Sequence, residues 1–340
     1  MASVDITKIL LSLCVVLLHT HGLVLGFHPS ISVFNKVVSN LAVPLFLVFS
    51  GYFFHKSCNK KPLKKVLYDN TLRLIALSLI YQTTWILFLN DNGSALQQLV
   101  SSDAKLSLIT GWLYQLFVDG SYQFWYITSL VFCLWIVGIG HKYHKNGLVF
   151  AISLGIYCIL ILTSTWSGNV NLPFLNNIVD CFVPYFTNIY QSFFIALIFV
   201  SIGFNFEKIY AFMARHKFLV VVFTLIYLGE ACFGLRQNVD SLSLWLSSPL
   251  MCVALFSGLR KYPTHISQTL ARTLRHTSTV IYCIHYQLAV YFVSGIENIL
   301  EMNRELLFAQ YLIMLFVLTA AIVIIAHHLS KRSKFFTYFY

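Results

Sequence analysis

The sequence predicts an all-α, polytopic membrane protein with about ten transmembrane helices and both termini in the cytoplasm. Three observations predict it. Of the 340 residues, 58% are hydrophobic and only 10% are charged, against about 25% charged in soluble domains. Apolar runs close to the ~20 residues that a bilayer demands recur along the whole chain. The lysines and arginines collect in alternate connections between those runs.

The runs fall at 6–26, 37–55, 71–90, 122–140, 147–165, 187–205, 218–234, 242–258, 278–296 and 305–326. The first has neither a strongly basic start nor an A-x-A cleavage pattern, so it reads as a retained helix rather than a signal peptide. In the second, NLAVPLFLVFSGYFF, Pro44 predicts a freed backbone carbonyl and a kink. Ser50 and Gly51 predict a close helix approach. The stretch 106–118 is apolar but short, and reads as an interfacial or re-entrant helix. With the N-terminus inside, nineteen of the 23 lysines and arginines lie on the cytoplasmic side; only Lys36, Lys105, Arg236 and Arg304 lie outside.

No connection is long enough for a soluble domain, so residues 1–340 read as a single membrane domain. Neither an internal repeat nor a low-complexity stretch interrupts it. The net charge of +11 follows topology and does not indicate a nucleic-acid partner; the partner it indicates is the lipid bilayer. The eight cysteines show no CxxC and no Cys/His ligand spacing, so no metal site and no disulfide framework is expected. They read as small buried hydrophobes.

Some residues are costly in lipid and therefore informative. His19 sits deep in the first run and should face the bundle interior, either as a functional imidazole or as a structural hydrogen bond between helices. His21 is about 200° further round the helix and reads as interfacial. Lys8 precedes His19 by eleven residues, about three turns plus 20°, so the two share a face with Ser12 and Val15. Their axial separation of about 16 Å would mark the two ends of one channel; a snorkelling residue is the alternative for Lys8. After the second run, Lys56, Lys60, Lys61, Lys64, Lys65 and Arg73 form a dense basic cluster. Such a cluster suits anionic headgroups, a phosphorylated co-substrate, or topology alone. Trp112, Tyr114, Tyr122, Trp125, Tyr126 and Trp166 gather near outer helix ends, as an aromatic belt or a sugar-stacking platform. Tyr282 and His285, three residues apart, share a face of the ninth run.

In order along the chain, DITKILLSLCVVLLHT (5–20), LAVPLFLVFSGYFF (41–54), YQFWYITSL (122–130) and STVIYCIHYQLAV (278–290) resemble four motifs of the acyltransferase-3 family of bacterial membrane acyltransferases. The sequence departs from the family at Lys8, where the family carries arginine, at Asn70 and Arg73, where it carries Arg-x-x-Arg, and at Gln123, where relatives often carry histidine. Lysine keeps the charge but loses the bidentate fork.

The resemblance implies a multi-pass protein of the bacterial inner membrane that transfers an acetyl or other acyl group. Acetyl-CoA, or another acyl-CoA, would be co-substrate rather than bound cofactor. The acceptor would be a hydroxyl of a lipid-linked cell-surface glycan such as O-antigen, common antigen or capsule. It implies His19 as catalytic base, Lys8, Lys64, Lys65 and Arg73 as donor-binding residues, and Trp125, Tyr126, Tyr282 and His285 as acceptor-pocket residues. A transporter or exporter of glycan or lipid is the alternative; the absence of repeated halves and of paired broken helices speaks against it.

Overall fold

The structure, a computed structural model, describes residues 1–20, 24, 29–84, 110, 113–114, 122–167, 173–182, 188–237, 244–294 and 304–333. Most of 106–118, with Trp112, lies outside the described residues, as do His21 and the Tyr122 side chain. The described residues contain thirteen α-helices and no strand. They are α1 (Ala2–Thr20), α2 (Pro29–Val37), α3 (Ala42–Cys58), α4 (Leu63–Thr84), α5 (Trp125–Lys142), α6 (Asn146–Thr163), α7 (Pro173–Asp180), α8 (Phe193–Phe204), α9 (Phe206–Arg215), α10 (Phe218–Arg236), α11 (Ser248–Lys261), α12 (Gln268–Ser294) and α13 (Arg304–Ser330).

Six of these elements are long and apolar enough to cross a membrane: α1, the α2–α3 unit Pro29–Cys58, α5, α6, α10 and α13. A seventh is the pair Ile189–Phe204 and Phe206–Arg215, bent by 65°. This is a multi-pass membrane protein. Among the described residues the criterion is met by six or seven elements rather than ten, for two physical reasons. Helix α11 has only 14 residues. Helices α4 and α12 are long, 22 and 27 residues, but polar groups such as Asn70, Arg73, His285 and Gln287 lower their hydropathy.

The centre of the bundle is the α3–α8 pair. Every residue of α8 from Ile195 to Phe204 is buried, as expected of a helix apolar on all sides. In α3, Gly51 and Gly203 of α8 let two backbones meet: a Cβ on Gly51 would come within 2.2 Å of the Val200 carbonyl oxygen. The close approach predicted at Gly51 is therefore present. The kink predicted at Pro44 is not. Pro44 sits in the first turn of α3, whose N-cap is Leu41, and first-turn N–H groups have no intrahelical partner to lose. The 3-10 turn Ser39–Leu41 lies just ahead of it, within the single span-length unit Pro29–Cys58.

Around this pair, α5, α6 and α11 pack on α8, α1 packs on α12 and α3, and α13 packs on α12. At one end of the bundle the bend at Asn205 turns α9 away from α8. Arg260 of α11 fastens it there, pairing with Glu207 at 3.0 Å and donating to the Tyr52 hydroxyl, which itself donates to Glu207. At the other end the Glu230 carboxylate accepts from the Trp166 indole N–H at 3.0 Å and from the Leu246 and Ser247 backbone N–H groups at 2.8 Å. A carboxylate on N–H groups just ahead of α11 complements the helix dipole.

Candidate functional site: a cation-lined cavity beneath two imidazoles

A cavity of about 350 Å³ lies between α1, α3, α4, α5 and α12, lined among others by Lys8, Ser50, Asn70, Arg73, Tyr126 and Tyr282. It shares Lys8, Arg73 and Thr279 with an adjoining mouth that is also lined by Arg272, Arg275 and His276. The helical period explains the lining. On α4, Asn70, Arg73, Leu74 and Leu77 repeat at three- and four-residue intervals and make one stripe. Lys64 is nine residues before Arg73 and so half a turn away.

Lys64 and Lys65 are accordingly exposed and line neither part of the cavity. The basic loop expected to hold phosphates thus contributes only Arg73. The other cations come from α1 and α12. Arg272 and Arg275, which sequence reasoning treated only as topological charge, supply the mouth. Arg275 is tied to α1 by Asp5 at 3.2 Å. Ser12, fully buried, reaches the carbonyls of Lys8 at 2.8 Å and Ser278 at 3.3 Å and stitches α1 to α12 beside the cavity. Lys8 also lies over the Phe53 ring, 5.5 Å from its centre. His276 lies two residues before the run 278–296. Burial first, and then the charges of Arg73, Arg275 and Arg272, push its imidazole down to about 4, so it is neutral near pH 7.

The deep end of the cavity is a layer of aromatic rings. Tyr126 and Tyr282 stand 5.2 Å apart, and Phe46 is 6.4 Å from each. The Tyr126 and Ser50 hydroxyls are hydrogen-bonded at 3.1 Å. The Tyr282 hydroxyl donates to the Gln123 carbonyl in the 3-10 turn that opens α5.

Beyond this layer lies His19. It does not line the large cavity. It lines a separate pocket of about 60 Å³ with Asn40, Pro44, Trp125 and Gln191. The single channel expected from Lys8 to His19 is therefore two cavities with a ring layer between them. Phe46 and Tyr126 face one cavity, and their chain neighbours Leu47 and Trp125 face the other. His285 bridges the layer. Its ring is 6.0 Å from Tyr282 and 5.4 Å from His19, and it is fully buried. His19 also meets the Tyr286 ring edge-on at 5.7 Å. Both imidazoles thus face protein.

The outer aromatics divide. Trp125 lines the His19 pocket and Tyr126 the cationic cavity. Trp166 is only 7% exposed, packs on Phe233 and Trp245, and spends its N–H on Glu230. It braces the bundle and offers no open stacking face. The eight cysteines are free.

A multi-pass bundle that turns two imidazoles toward protein next to a cation-lined cavity has the parts of an intramembrane group-transfer enzyme. A family model described as an acyltransferase domain matches residues 1–327. The chain belongs to the acyltransferase-3 family, and is a membrane acyltransferase. No curated protein and no solved structure matches it.

Proposed function

We propose that this acyltransferase moves an acetyl or related acyl group from acyl-CoA, bound from the cytoplasm, to a hydroxyl of a cell-surface glycan, with His19 as general base. The observation that carries this reading is the cavity that collects Lys8, Arg73, Arg272 and Arg275 at its mouth and ends at a ring layer next to two imidazoles.

In this reading the bundle has ten spans, with α4, α11 and α12 completing the set, and both termini are cytoplasmic. The distribution of nineteen basic residues against four supports that orientation. Of the polar residues that disqualify α4 and α12 as plain spans, Asn70 and Arg73 line the cationic cavity and His285 is buried beside it. This is the usual place of ionisable groups in membrane helices.

The CoA phosphates bind the four cations by charge-assisted hydrogen bonds. The pantetheine arm follows the cavity inward, and rotation of Tyr282 off the Gln123 carbonyl admits the thioester to His19. The acceptor enters the pocket beside Trp125. Its hydroxyl oxygen attacks the thioester carbonyl while His19 takes the hydroxyl proton. The C–S bond then breaks, and His19 returns the proton to the leaving thiolate. The products are the glycan ester and free CoA. The acceptor is a lipid-linked glycan of O-antigen, common-antigen or capsule type, and the enzyme works in the bacterial inner membrane.

The test is O-acetyl content of surface polysaccharide, read by mass spectrometry in a deletion strain complemented with wild type or His19→Ala. CoA should raise the thermal stability of both proteins, and only wild type should restore acetylation. Acetylation retained by His19→Ala rejects the base. Glycan flux without acyl-CoA rejects the enzyme in favour of a transporter.

A further inference from the structure

Buried polar atoms in folded proteins nearly always have partners, so each orphan invites a reason. In the intramembrane site one orphan stands out. Nδ1 of His285 lies 2.8 Å from the Tyr282 carbonyl oxygen and 3.1 Å from that of Ile281. Both are acceptors, and neither can donate. Nδ1 therefore carries the hydrogen. In a neutral imidazole Nε2 must then hold the lone pair. That atom is fully buried and has no hydrogen-bond partner. Among the described residues, a ring that can supply an N–H, that of His19, lies 5.4 Å away between centres and tilted by 42°.

From this geometry we propose that His285 is the positioning residue for His19: its Nε2 lone pair accepts an N–H from the His19 ring and so fixes the tautomer that His19 presents to the acceptor. A small ring rotation closes the contact. With one His19 nitrogen committed as donor to His285, the other is held as a lone pair, ready for the acceptor hydroxyl. The pair then has the logic of a base oriented by a third group, with a neutral imidazole doing what a carboxylate does elsewhere. The carbonyls of Ile281 and Tyr282 serve a purpose in this scheme. They lock the His285 tautomer, which locks the next one. The role differs from the acceptor-pocket role that sequence resemblance suggests for His285. It also explains why an imidazole is placed where it lines neither cavity.

This inference rests on the reading of His19 as base, and two amide substitutions separate it from a merely structural role. In His285→Asn the amide nitrogen replaces Nδ1 and can still donate to the Tyr282 carbonyl, but nothing replaces Nε2. In His285→Gln the amide reaches the Nε2 position and offers an oxygen acceptor there. The assay is transfer from radiolabelled acetyl-CoA to the endogenous lipid-linked glycan in inverted membranes, with CoA-induced thermal stabilisation as the folding control.

His285→Asn should lose roughly a hundredfold or more in turnover with the KM for acetyl-CoA unchanged. His285→Gln should retain at least about a tenth of wild-type turnover, which is the smaller loss that a misplaced orienting group brings. A His285→Asn enzyme as fast as wild type, measured while His19→Ala is inactive, overturns the positioning role and leaves the base intact. The reverse order, with Asn active and Gln inactive, assigns His285 to helix structure through Nδ1 and also overturns it. If wild-type membranes transfer no label at all, the acyl-CoA reading itself fails, which is a distinct result.

Discussion

Gly51 and Gly203 meet where α3 crosses α8: a Cβ on Gly203 would lie 2.0 Å from the Val48 carbonyl oxygen, and one on Gly51 2.2 Å from that of Val200. Both obstacles are backbone and cannot rotate aside. Within lipid, helix association relies on such close packing because apolar burial alone offers little. Gly51→Ala and Gly203→Ala should therefore each lower stability by about 1–3 kcal/mol or more, the range for overpacked cores. Thermal unfolding in detergent measures it. Gly229→Ala is the control: its Cβ would meet nothing within 4 Å, and alanine removes a glycine backbone penalty of about 0.5–1 kcal/mol. Equal melting temperatures for Gly203→Ala and Gly229→Ala would contradict the packing argument.

The division among the basic residues gives a second expectation. Arg73 and Arg272 line the cavity and its mouth, whereas Lys64 and Lys65 do not. A hydrogen bond to a charged group contributes about 1.5–3 kcal/mol. Arg73→Ala or Arg272→Ala should then raise the KM for acetyl-CoA roughly ten- to a hundredfold by the same scale. Lys64→Ala and Lys65→Ala, as exposed surface changes worth about 0.5 kcal/mol or less, should shift it by little more than twofold. Steady-state kinetics in proteoliposomes decides. A larger effect at Lys64 than at Arg73 would move the donor site to the loop.

These particulars show which parts of the molecule the sequence made legible. The helical stripe from Lys8 through Ser12 is real, because one helix obeys one period whatever surrounds it. Gly51 was readable for the same local reason. The partner Gly203 was not, since nothing in GFNFEK says which helix lies opposite. Counting charges along the loop groups Lys64 with Arg73, whereas the helical period turns Lys64 away from the cavity that Arg73 lines. That period, applied to α12, would have found the missing cations: Arg272, Arg275, Thr279 and Tyr282 recur at three- and four-residue steps. The ring layer that divides the site was out of reach, because Phe46, Tyr126 and Tyr282 come from three helices and their meeting is a property of packing. Pro44 read as a kink only because the start of α3 was placed too early.

The turn between α5 and α6 supports a third prediction. Lys145 N–H bonds to the Gly140 carbonyl at 2.7 Å and His144 N–H to that of His141 at 3.2 Å, the paired bonds of a Schellman motif. The motif needs a left-handed residue after the C-cap, and His144 supplies it at φ 55° without being glycine. His144→Gly should stabilise by about 0.5–1 kcal/mol by removing the Cβ conflict. His144→Val should destabilise, since a β-branched residue suits that region least. Thermal melts of the two variants should bracket wild type; a lower melting temperature for His144→Gly would mean that the imidazole has a role beyond the turn.

His276 makes the mouth of the cavity sensitive to pH, and the sign follows from its position. Burial and the neighbouring Arg73, Arg275 and Arg272 hold its pKa at about 4, below the ordinary 6.5. As pH falls through 6.5 the unfolded chain takes up a proton that the folded protein refuses. Stability from this group is thus lost progressively between pH 6.5 and about 4 and is constant outside that window. An anion at the mouth offsets the second of these causes: phosphate charge beside the arginines relieves their repulsion, though not the burial, and raises the histidine pKa. Binding CoA should then take up protons in the same window, and affinity should rise as pH drops from 7.5 toward 5. The phosphate has its own ionisation there, so the informative quantity is the difference between wild type and His276→Gln. Calorimetric titration with CoA in two buffers of unequal ionisation enthalpy measures the proton count directly. Wild type should bind more protons than His276→Gln at pH 5.5 and the same number at pH 7.5; identical counts at both would place the phosphates away from His276.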